Sequence, residues 1–393
     1  MMPLRITSLA LVSIFFIATT LLGQETRPYL MLSFDDKGKL EEQRAWTTFK
    51  TELKARPPEH IFFLVHGWRK SKGNADETFT SLAKLLHDQR KENESIAVIG
   101  VRWPSLIGET ESVTDQRFKT LANAMGAAMA SSTTIQEQQV RLKNFLKKPG
   151  TRSLASFSLG LILPDDDQID AMIDQLQESE NVEKLLTAFS YYAMKKRAEV
   201  VGSTGLAPRL TELQEALPLA RVHLVGHSFG CKVCLASIGA DSRTDQQIDS
   251  MTLIQAAVSD LCFAPTIKEL ENTPAGAYAE APRRVKGPIA VTYSRKDKAL
   301  TIAYLVASQI AGQVGELPGR RMLANSELYG ALGANGIVAV PNVPQIVLGK
   351  TGTTYALQSG LNSIDANDVI LHHGDIRRSE VAWLVWATAR CGR

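Results

Sequence analysis

The chain has 393 residues, of which 44% are hydrophobic and 22% are charged, and its formal net charge is +3 with an isoelectric point near 8.5. This composition is that of a globular protein with enough apolar residues to bury a large core. The small and dispersed positive charge does not favour nucleic acid or an acidic membrane surface as a partner. The longest basic run, Lys195-Lys196-Arg197, lies in a helical pattern and is expected to form a solvated helix face.

An apolar run stands at the N-terminus, where Arg5 is followed by uncharged residues from Ile6 to Gly23. A basic flank before an apolar run is the layout of a secretory signal. Its length also approaches the roughly 20 residues of a membrane-spanning helix. Residues 1–23 are therefore predicted to be a signal peptide or a membrane anchor, with a cytosolic apolar N-terminus as a third interpretation. The first two predict an exported protein, periplasmic or secreted, and the anchor adds membrane association through residues 6–23.

Short apolar runs recur along the rest of the chain and predict β-strands. They lie at 28–34, 60–68, 95–103, 221–227, 250–258 and 288–294. Helical patterns stand between and after them, for example at 78–89 and 379–390. Continuously apolar runs suit strands that are covered on both faces, and strands alternating with helices imply a parallel sheet. The predicted fold class is α/β.

The segment from about residue 120 to 200 shows only helical patterning, with apolar residues repeating every three or four positions. About 80 helical residues inside an α/β rhythm predict an inserted cap or lid over one end of the sheet. The alternative is a set of extra helices packed on the side of the sheet. The acidic run at 165–167 follows Pro164 and is expected to begin a helix rather than to bind calcium.

The motif Gly226-His227-Ser228-Phe229-Gly230 stands between a predicted strand and a predicted helix. A G-x-S-x-G motif arises by chance in a chain of this length with odds of about one in eight. The strand before it and the helix after it are the context of a nucleophile elbow. Gly226 and Gly230 leave room for the tight turn, and the helix start offers N–H groups to an oxyanion. Ser228 is the predicted nucleophile.

A serine hydroxyl needs a base to take its proton, and the base needs an acid to orient it. The histidines downstream of Ser228 are His372 and His373, in the loop before the last predicted helix. His373 is the predicted base and His372 the alternative. Asp297 follows the last apolar run and is the predicted acid, with Asp260 as the alternative one strand earlier. The order serine, aspartate, histidine is the order expected of one particular fold.

An oxyanion hole needs two N–H donors. Phe229 follows the nucleophile and is predicted to supply one of them. Trp68 is predicted to supply the other, because Gly67 lets the backbone turn at the end of an earlier apolar strand. His66 is expected to shape this loop, and His227 is expected to pack rather than to take part in chemistry.

Four cysteines are too few for a fold built on disulfides in a chain of this size. Cys231 and Cys234 form a C-x-x-C spacing on the predicted helix after the glycine corner. We expect them to pack against the sheet, with a disulfide or reactive pair as the alternative. A four-ligand zinc site is not favoured, because the other two cysteines, Cys262 and Cys391, lie far along the chain.

These motifs together resemble the α/β-hydrolase superfamily. The matching segments are HGW at 66–68, VRWPS at 101–105, GHSFG at 226–230, YSRKDKAL at 293–300 and HHGDI at 372–376. The resemblance covers roughly residues 28–118 and 190–393 and leaves the helical insertion unmatched. It implies a mostly parallel central sheet flanked by helices, with the site at the carboxyl ends of the strands. Residues 24–393 would then form one α/β-hydrolase domain with a variable cap at about 120–200.

The expected activity is that of a serine hydrolase of the carboxylesterase or lipase type, acting on an ester or related acyl bond through an acyl-enzyme. We expect a small-molecule or lipid-like acyl substrate, no nucleic acid, and neither a metal nor an organic cofactor. Acyl transfer on the same scaffold and a non-catalytic binding protein of this fold are the alternatives. The apolar side chains at Phe189, Tyr191, Tyr192 and Met194 either line an acyl pocket or pack within the cap.

Overall fold

The computed structural model describes residues 29–68, 72–105, 134–149, 151, 191, 194–239, 248–270, 272–304, 308, 315–317 and 326–391. The predicted signal or anchor at 1–23, most of the predicted cap at about 120–200 and the acidic run at 165–167 lie outside these residues. Among the helices that are described, none is both long and apolar enough to cross a membrane.

An eight-stranded parallel sheet forms the centre of the described chain. Its strands are β1 Tyr29–Ser33, β2 His60–Val65, β3 Ile96–Arg102, β4 Arg221–His227, β5 Ser250–Ile254, β6 Pro288–Tyr293, β7 Gln345–Val347 and β8 Gly360–Asp365. Their order is β1-β3-β2-β4-β5-β6-β8-β7, and every neighbouring pair is parallel. The predicted α/β class is confirmed, and each of the six predicted strands is present.

Two strands, β7 and β8, are missing from the sequence prediction. β7 is short and lies at the edge of the sheet, where its side chains are partly or fully exposed. β8 contains Asn362 and Ser363, which are polar but completely buried. The Asn362 amide bonds the backbone of Gln358 and Gly360 at the start of the strand, and Ser363 Oγ accepts from the N–H of Ile337. Polar residues with such internal partners remove the apolar pattern on which the prediction depends.

Helices cover both faces of the sheet. They are α1 Gln43–Ala55, α2 Lys72–Asp88, α3 Ile135–Lys147, α4 Ala207–Ala216, α5 Phe229–Gly239, α6 Leu332–Asn335 and α7 Ser379–Arg390. Shorter π-helical turns span Val201–Leu206 and Ala299–Tyr304, and 3-10 turns span Ala281–Arg284 and Ser326–Tyr329. The predicted helices at 78–89 and 379–390 correspond to α2 and α7, and α3 lies in the segment at about 120–200 that was predicted to be helical.

The side chains of β2 alternate between two apolar clusters on opposite faces of the sheet. Ile61 and Phe63 belong to a cluster that includes residues of α1, α4 and α5. Phe62 and Leu64 belong to a second cluster with residues of α2 and α7. Successive side chains of a strand point to opposite faces, so an all-apolar strand is required wherever both faces are covered.

The parallel arrangement brings four loops to one edge of the sheet, because β2, β4, β6 and β8 all end there. Residues 66–68, Ser228, Asp297 and His373 follow these four ends in turn. Clefts at the carboxyl ends of parallel strands are the usual binding sites of open α/β sheets.

The basic run at 195–197 differs from its prediction as a solvated face. Lys195 is 1% exposed and Arg197 is 8% exposed, while the Lys196 side chain is half exposed. Burial is possible because Lys195 lies 2.6 Å from the buried carboxylate of Glu316, and Arg197 donates to the carbonyl oxygen of Pro104 at 2.8 Å. The prediction is wrong for Lys195 and Arg197. Their partners are remote in sequence, so the local pattern could not indicate them.

Candidate active site

Ser228 alone forms the turn between β4 and α5. The strand ends at His227 and the helix begins at Phe229, and the φ angle of Ser228 is 56°. This left-handed conformation is rare for a residue with a side chain and persists only where the surroundings enforce it. Here the Ser228 N–H donates to the carbonyl of Ile254, and its own carbonyl accepts from the N–H of Cys231, both at 3.1 Å. The turn is held on both sides.

Gly226 and Gly230 allow α5 to lie directly on the strands beside it. A Cβ atom at Gly226 would lie 2.7 Å from the Cα of Cys231, and one at Gly230 would overlap the carbonyl oxygen of Val65. Real Cβ atoms do not approach other atoms so closely, so a larger residue at either position would displace the helix. The close approach of helix and strand is the reason for glycine at both positions.

His373 and Asp297 join Ser228 in a chain of hydrogen bonds. The His373 Nε2 atom lies 2.8 Å from Ser228 Oγ, and its Nδ1 atom lies 2.7 Å from Asp297 Oδ2. Because a carboxylate only accepts, Nδ1 carries the proton and Nε2 accepts from the serine hydroxyl. The Asp297 side chain is fully buried, whereas that of His373 is 28% exposed. The structure therefore brings the three predicted side chains together in the geometry that activates a serine.

The carboxylate of Asp297 receives hydrogen bonds at both oxygens. Oδ2 accepts from His373 and from the Gln255 side-chain amide at 3.0 Å, and Oδ1 accepts from the N–H groups of Ala299 and Leu300 at 3.1 and 3.3 Å. Burial raises the pKa of Asp297, but the bonds from His373, Gln255 and the Leu300 backbone outweigh it, and the pKa lies below its usual value. The group is therefore a carboxylate at neutral pH.

His372 and Asp260, the alternatives for the base and the acid, lie outside this chain of hydrogen bonds. His372 is exposed, and its backbone N–H donates to Asp375 Oδ2 at 3.1 Å. Asp260 is buried, and its Oδ2 atom accepts from the Asn335 amide at 2.8 Å. Burial raises the pKa of Asp260 to about 6. The hydrogen bonds to Ser228 and Asp297 come from His373, so neither alternative joins the chain.

The segments that carry the predicted oxyanion donors, Trp68 and Phe229, lie beside Ser228. Gly67 lies directly against the serine, because a Cβ atom built on Gly67 would be 2.7 Å from Ser228 Cβ. The rings of Trp68 and Phe229 are 5.8 Å apart, and the buried Tyr191 ring lies 5.2 Å from that of Phe229. Phe229 is the first residue of α5, and N–H groups in the first turn of a helix have no partner within the helix.

His66 holds the loop that carries Gly67. Its Nδ1 donates to the carbonyl of Gly67 at 2.7 Å, and its Nε2 accepts from the N–H of Trp103 at 3.2 Å. The Trp103 indole N–H donates in return to the carbonyl of His66 at 2.8 Å, and the two rings stack. A single neutral tautomer of His66 satisfies both contacts, since a carbonyl only accepts and an amide N–H only donates.

Two further side chains contact the Ser228–His373–Asp297 chain and were not predicted to do so. His227 was expected only to pack, yet its Nε2 atom lies 2.8 Å from the carbonyl oxygen of His373. Gln255 bonds Asp297 and follows the end of β5. Its sequence signal is an amide within the otherwise apolar run 253–258, at the end of a strand, where a buried polar residue needs partners.

The cysteines of the C-x-x-C spacing are buried on α5 and are not linked by a disulfide. Burial raises the pKa of both the Cys231 and the Cys234 thiol. Thiols with raised pKa values are poor nucleophiles, so packing explains both residues. In the part of the chain that the structure describes, no group of three or more His, Cys, Asp or Glu residues is placed to hold a metal ion.

A comparison with protein families finds a match to part of the chain. The family described as "Alpha/beta hydrolase of unknown function (DUF900)" matches residues 167–345. The matched segment contains Ser228, Gln255 and Asp297 and ends before His373. No curated protein matches the chain significantly.

Proposed function

We propose that the chain is a serine hydrolase of the α/β-hydrolase superfamily that cleaves an ester or related acyl bond through an acyl-enzyme, and the family match over residues 167–345 supports this. The observation that carries this proposal is the chain from Asp297 through His373 to Ser228, with contacts of 2.7 and 2.8 Å at the carboxyl edge of the sheet. A buried carboxylate, an imidazole and a serine in this order can generate a nucleophile at neutral pH.

In the first half of the reaction, Ser228 Oγ attacks the acyl carbon while His373 Nε2 takes the hydroxyl proton. Asp297 stabilises the imidazolium that forms. The N–H groups of Trp68 and Phe229 donate to the oxyanion of the tetrahedral intermediate, and one such donor lowers a barrier by about 3 kcal/mol. His373 then protonates the leaving oxygen, and the bond between the acyl carbon and that oxygen breaks.

In the second half, His373 takes a proton from water, and the resulting hydroxide attacks the acyl carbon of the acyl-enzyme. Collapse of the second intermediate releases the carboxylic acid and returns the proton to Ser228 Oγ. The reaction needs only water as a co-substrate. The arrangement supports ester hydrolysis without a metal or organic cofactor in any step.

For the substrate, we propose an apolar acyl group. The support is the aromatic surface beside the nucleophile, where Tyr191 packs on Phe229 and its ring lies 6.4 Å from that of Trp68. The other residues considered for this pocket, Phe189 and Tyr192, lie outside the described residues, while Met194 is fully buried.

We also propose that the segment at about 120–200 caps this surface, and that residues 1–23 direct export or anchor the chain.

A fluorophosphonate probe tests the proposal directly. The full chain, purified in detergent, is expected to react at Ser228, as located by peptide mapping. Ser228→Ala and His373→Ala should abolish the reaction. His372→Ala is the matched control, because it removes the neighbouring exposed imidazole, and labelling should persist. Equal labelling of wild type and Ser228→Ala, or none in folded wild-type protein, would contradict the assignment.

A panel of p-nitrophenyl esters of increasing acyl length then tests the substrate class. We expect kcat/KM to rise from acetate toward longer chains if the aromatic surface receives the acyl group. A preference for acetate alone would contradict an apolar acyl pocket while leaving the nucleophile assignment intact.

The first residue of the mature protein, read after production in an exporting host, tests the proposal for residues 1–23.

A further inference from the structure

We propose that Gln255 is a positioning residue for the catalytic acid, which orients the carboxylate of Asp297 and limits the basicity of the oxygen that faces His373. The inference rests on the proposed function and adds a residue to it. Gln255 follows β5, is completely buried, and has a φ angle of 46°. A buried glutamine in the left-handed region costs about 1–2 kcal/mol in backbone strain, so surrounding contacts must hold it there.

The orientation of the Gln255 amide follows from its partners. Its Nε2 atom lies 3.0 Å from Asp297 Oδ2 and 3.1 Å from the carbonyl oxygen of Gly333. Both partners only accept, so the NH2 group and not the amide oxygen faces them. The amide oxygen accepts from the Thr292 hydroxyl at 3.1 Å, and that hydroxyl in turn accepts from the Gln255 backbone N–H at 3.0 Å. Each polar atom of the side chain is used.

The same carboxylate oxygen, Asp297 Oδ2, receives both the His373 imidazole and the Gln255 amide. Two donors on one oxygen fix the plane of the carboxylate, which sets the direction of the imidazole toward Ser228. The second donor also withdraws negative charge from the oxygen that stabilises the imidazolium. Without it, Oδ2 would hold a protonated imidazole more strongly.

This difference predicts a specific change in the pH dependence. Loss of the Gln255 donor should make the protonated imidazole persist to higher pH, and a protonated imidazole cannot take the serine proton. The acid limb of the rate profile should therefore move upward. Turnover should fall as well, because a misplacement near 1 Å can reduce a rate by about 100-fold. Substrate binding should not change, since Gln255 bonds the acid and not the nucleophile.

The test uses Gln255→Met, which keeps the length of the side chain and removes its amide. We expect kcat for p-nitrophenyl acetate to fall about 10- to 100-fold with KM within about twofold. The acid limb of Ser228 labelling by the fluorophosphonate should move to higher pH. Thr292→Val is the control, because it loosens the far end of Gln255 and leaves the donor to Asp297. Its loss of activity should be smaller and its acid limb unmoved.

Gln255→Asn keeps the proposal testable if the methionine variant does not fold. Asparagine tolerates the left-handed region, but its shorter amide falls short of Asp297. The same shift of the acid limb is expected. A fall in kcat with an unmoved acid limb in both variants, or wild-type kinetics in either folded variant, would overturn the inference. Failure of the wild type to react with the probe would instead overturn the proposed function.

Discussion

The imidazole of His227 donates its Nε2 proton to the backbone carbonyl of His373, at a distance of 2.8 Å. The two rings lie 4.9 Å apart and His227 is buried. The turn at 226–230 therefore contacts His373 twice. The Ser228 hydroxyl meets the Nε2 atom of His373, and the His227 ring meets its backbone carbonyl. Since the loop that carries His373 is otherwise largely exposed, this bond fixes His373 relative to Ser228.

Substitution of His227 by phenylalanine should keep a ring at this position and remove the donor. One buried hydrogen bond contributes about 1 kcal/mol, so we expect kcat/KM for p-nitrophenyl acetate to fall about tenfold. The loss should appear in kcat, because the bond positions His373 and does not touch the substrate. His227→Gln, whose amide still offers a donor, should retain most of the activity. Equal losses in the two variants would show that ring packing rather than the donor matters.

Asp297→Asn should reduce kcat/KM by about 10³- to 10⁴-fold, because an amide cannot both hold the proton on His373 Nδ1 and stabilise the imidazolium. Asp260→Asn is the matched control, since Asp260 is also a buried aspartate but bonds Asn335 instead of the histidine. It should keep activity within a few fold. Thermal unfolding of both variants establishes that they are folded. Greater loss in Asp260→Asn than in Asp297→Asn would make Asp260 the acid.

Gly67→Ala should slow labelling of Ser228 at least tenfold. The new Cβ atom would lie 2.7 Å from Ser228 Cβ and 3.2 Å from the carbonyl oxygen of His227, so the loop carrying Trp68 must move away. Gly374→Ala is the control at the same edge of the sheet. It adds a methyl group beside His373, where nothing lies within 4 Å, and should label at the wild-type rate. Slow labelling of Gly374→Ala would show that the edge tolerates no added volume.

A pair of buried histidines lies near the amino end of the sheet. Arg221 donates to His60 Nε2 at 2.7 Å, His60 Nδ1 donates to His223 Nε2 at 2.9 Å, and His223 Nδ1 donates to Ser250 Oγ at 2.8 Å. Arginine only donates, so this order of protons is the one that satisfies all three contacts, and both rings are neutral. Burial and the Arg221 charge lower the pKa of His60 to about 4. Burial is also the largest cause that lowers the pKa of His223, followed by the positive charge that a protonated His60 would carry and by that of Arg221.

Stability should therefore fall as the pH is lowered. The unfolded chain binds protons at these histidines below about pH 6.5, whereas the folded chain does not bind one at His60 until about pH 4. The contribution of these histidines to the free energy of unfolding is complete above pH 6.5. It decreases as the pH falls from about 6.5 to about 4, by about 3 kcal/mol from His60 alone. In His60→Gln, the glutamine side chain can accept from Arg221 and donate to His223. The variant should roughly halve the slope of the free energy of unfolding against pH, which urea unfolding at pH 7.5 and 5 measures.

The control for this experiment is His372→Gln, which replaces an exposed histidine in the loop before α7 and leaves His60 and His223 in place. An unchanged slope in His60→Gln, with wild-type stability at pH 7.5, would place the acid sensitivity elsewhere in the molecule.

Much of the architecture is readable from the order of residue types. The strands that are covered on both faces, such as β2, are continuously apolar, and this pattern identifies them without reference to any neighbour. Ser228 is likewise identified locally, because the strand, the glycines and the helix that form its turn are adjacent in the chain. Asp297 and His373 follow from chemical need and chain order, since a serine requires both partners.

The tertiary structure supplied what depends on residues far apart in the chain. It separated His373 from His372, because the two differ by one position and only the path of the loop aims one imidazole at Ser228. It placed Gln255 on Asp297 across two neighbouring strands and gave Lys195 the carboxylate that allows its burial. It also revealed β8, whose buried Asn362 and Ser363 bond backbone groups of Gln358, Gly360 and Ile337. Local patterns record burial and backbone preference, whereas the partner of a buried polar group is set by packing between distant segments.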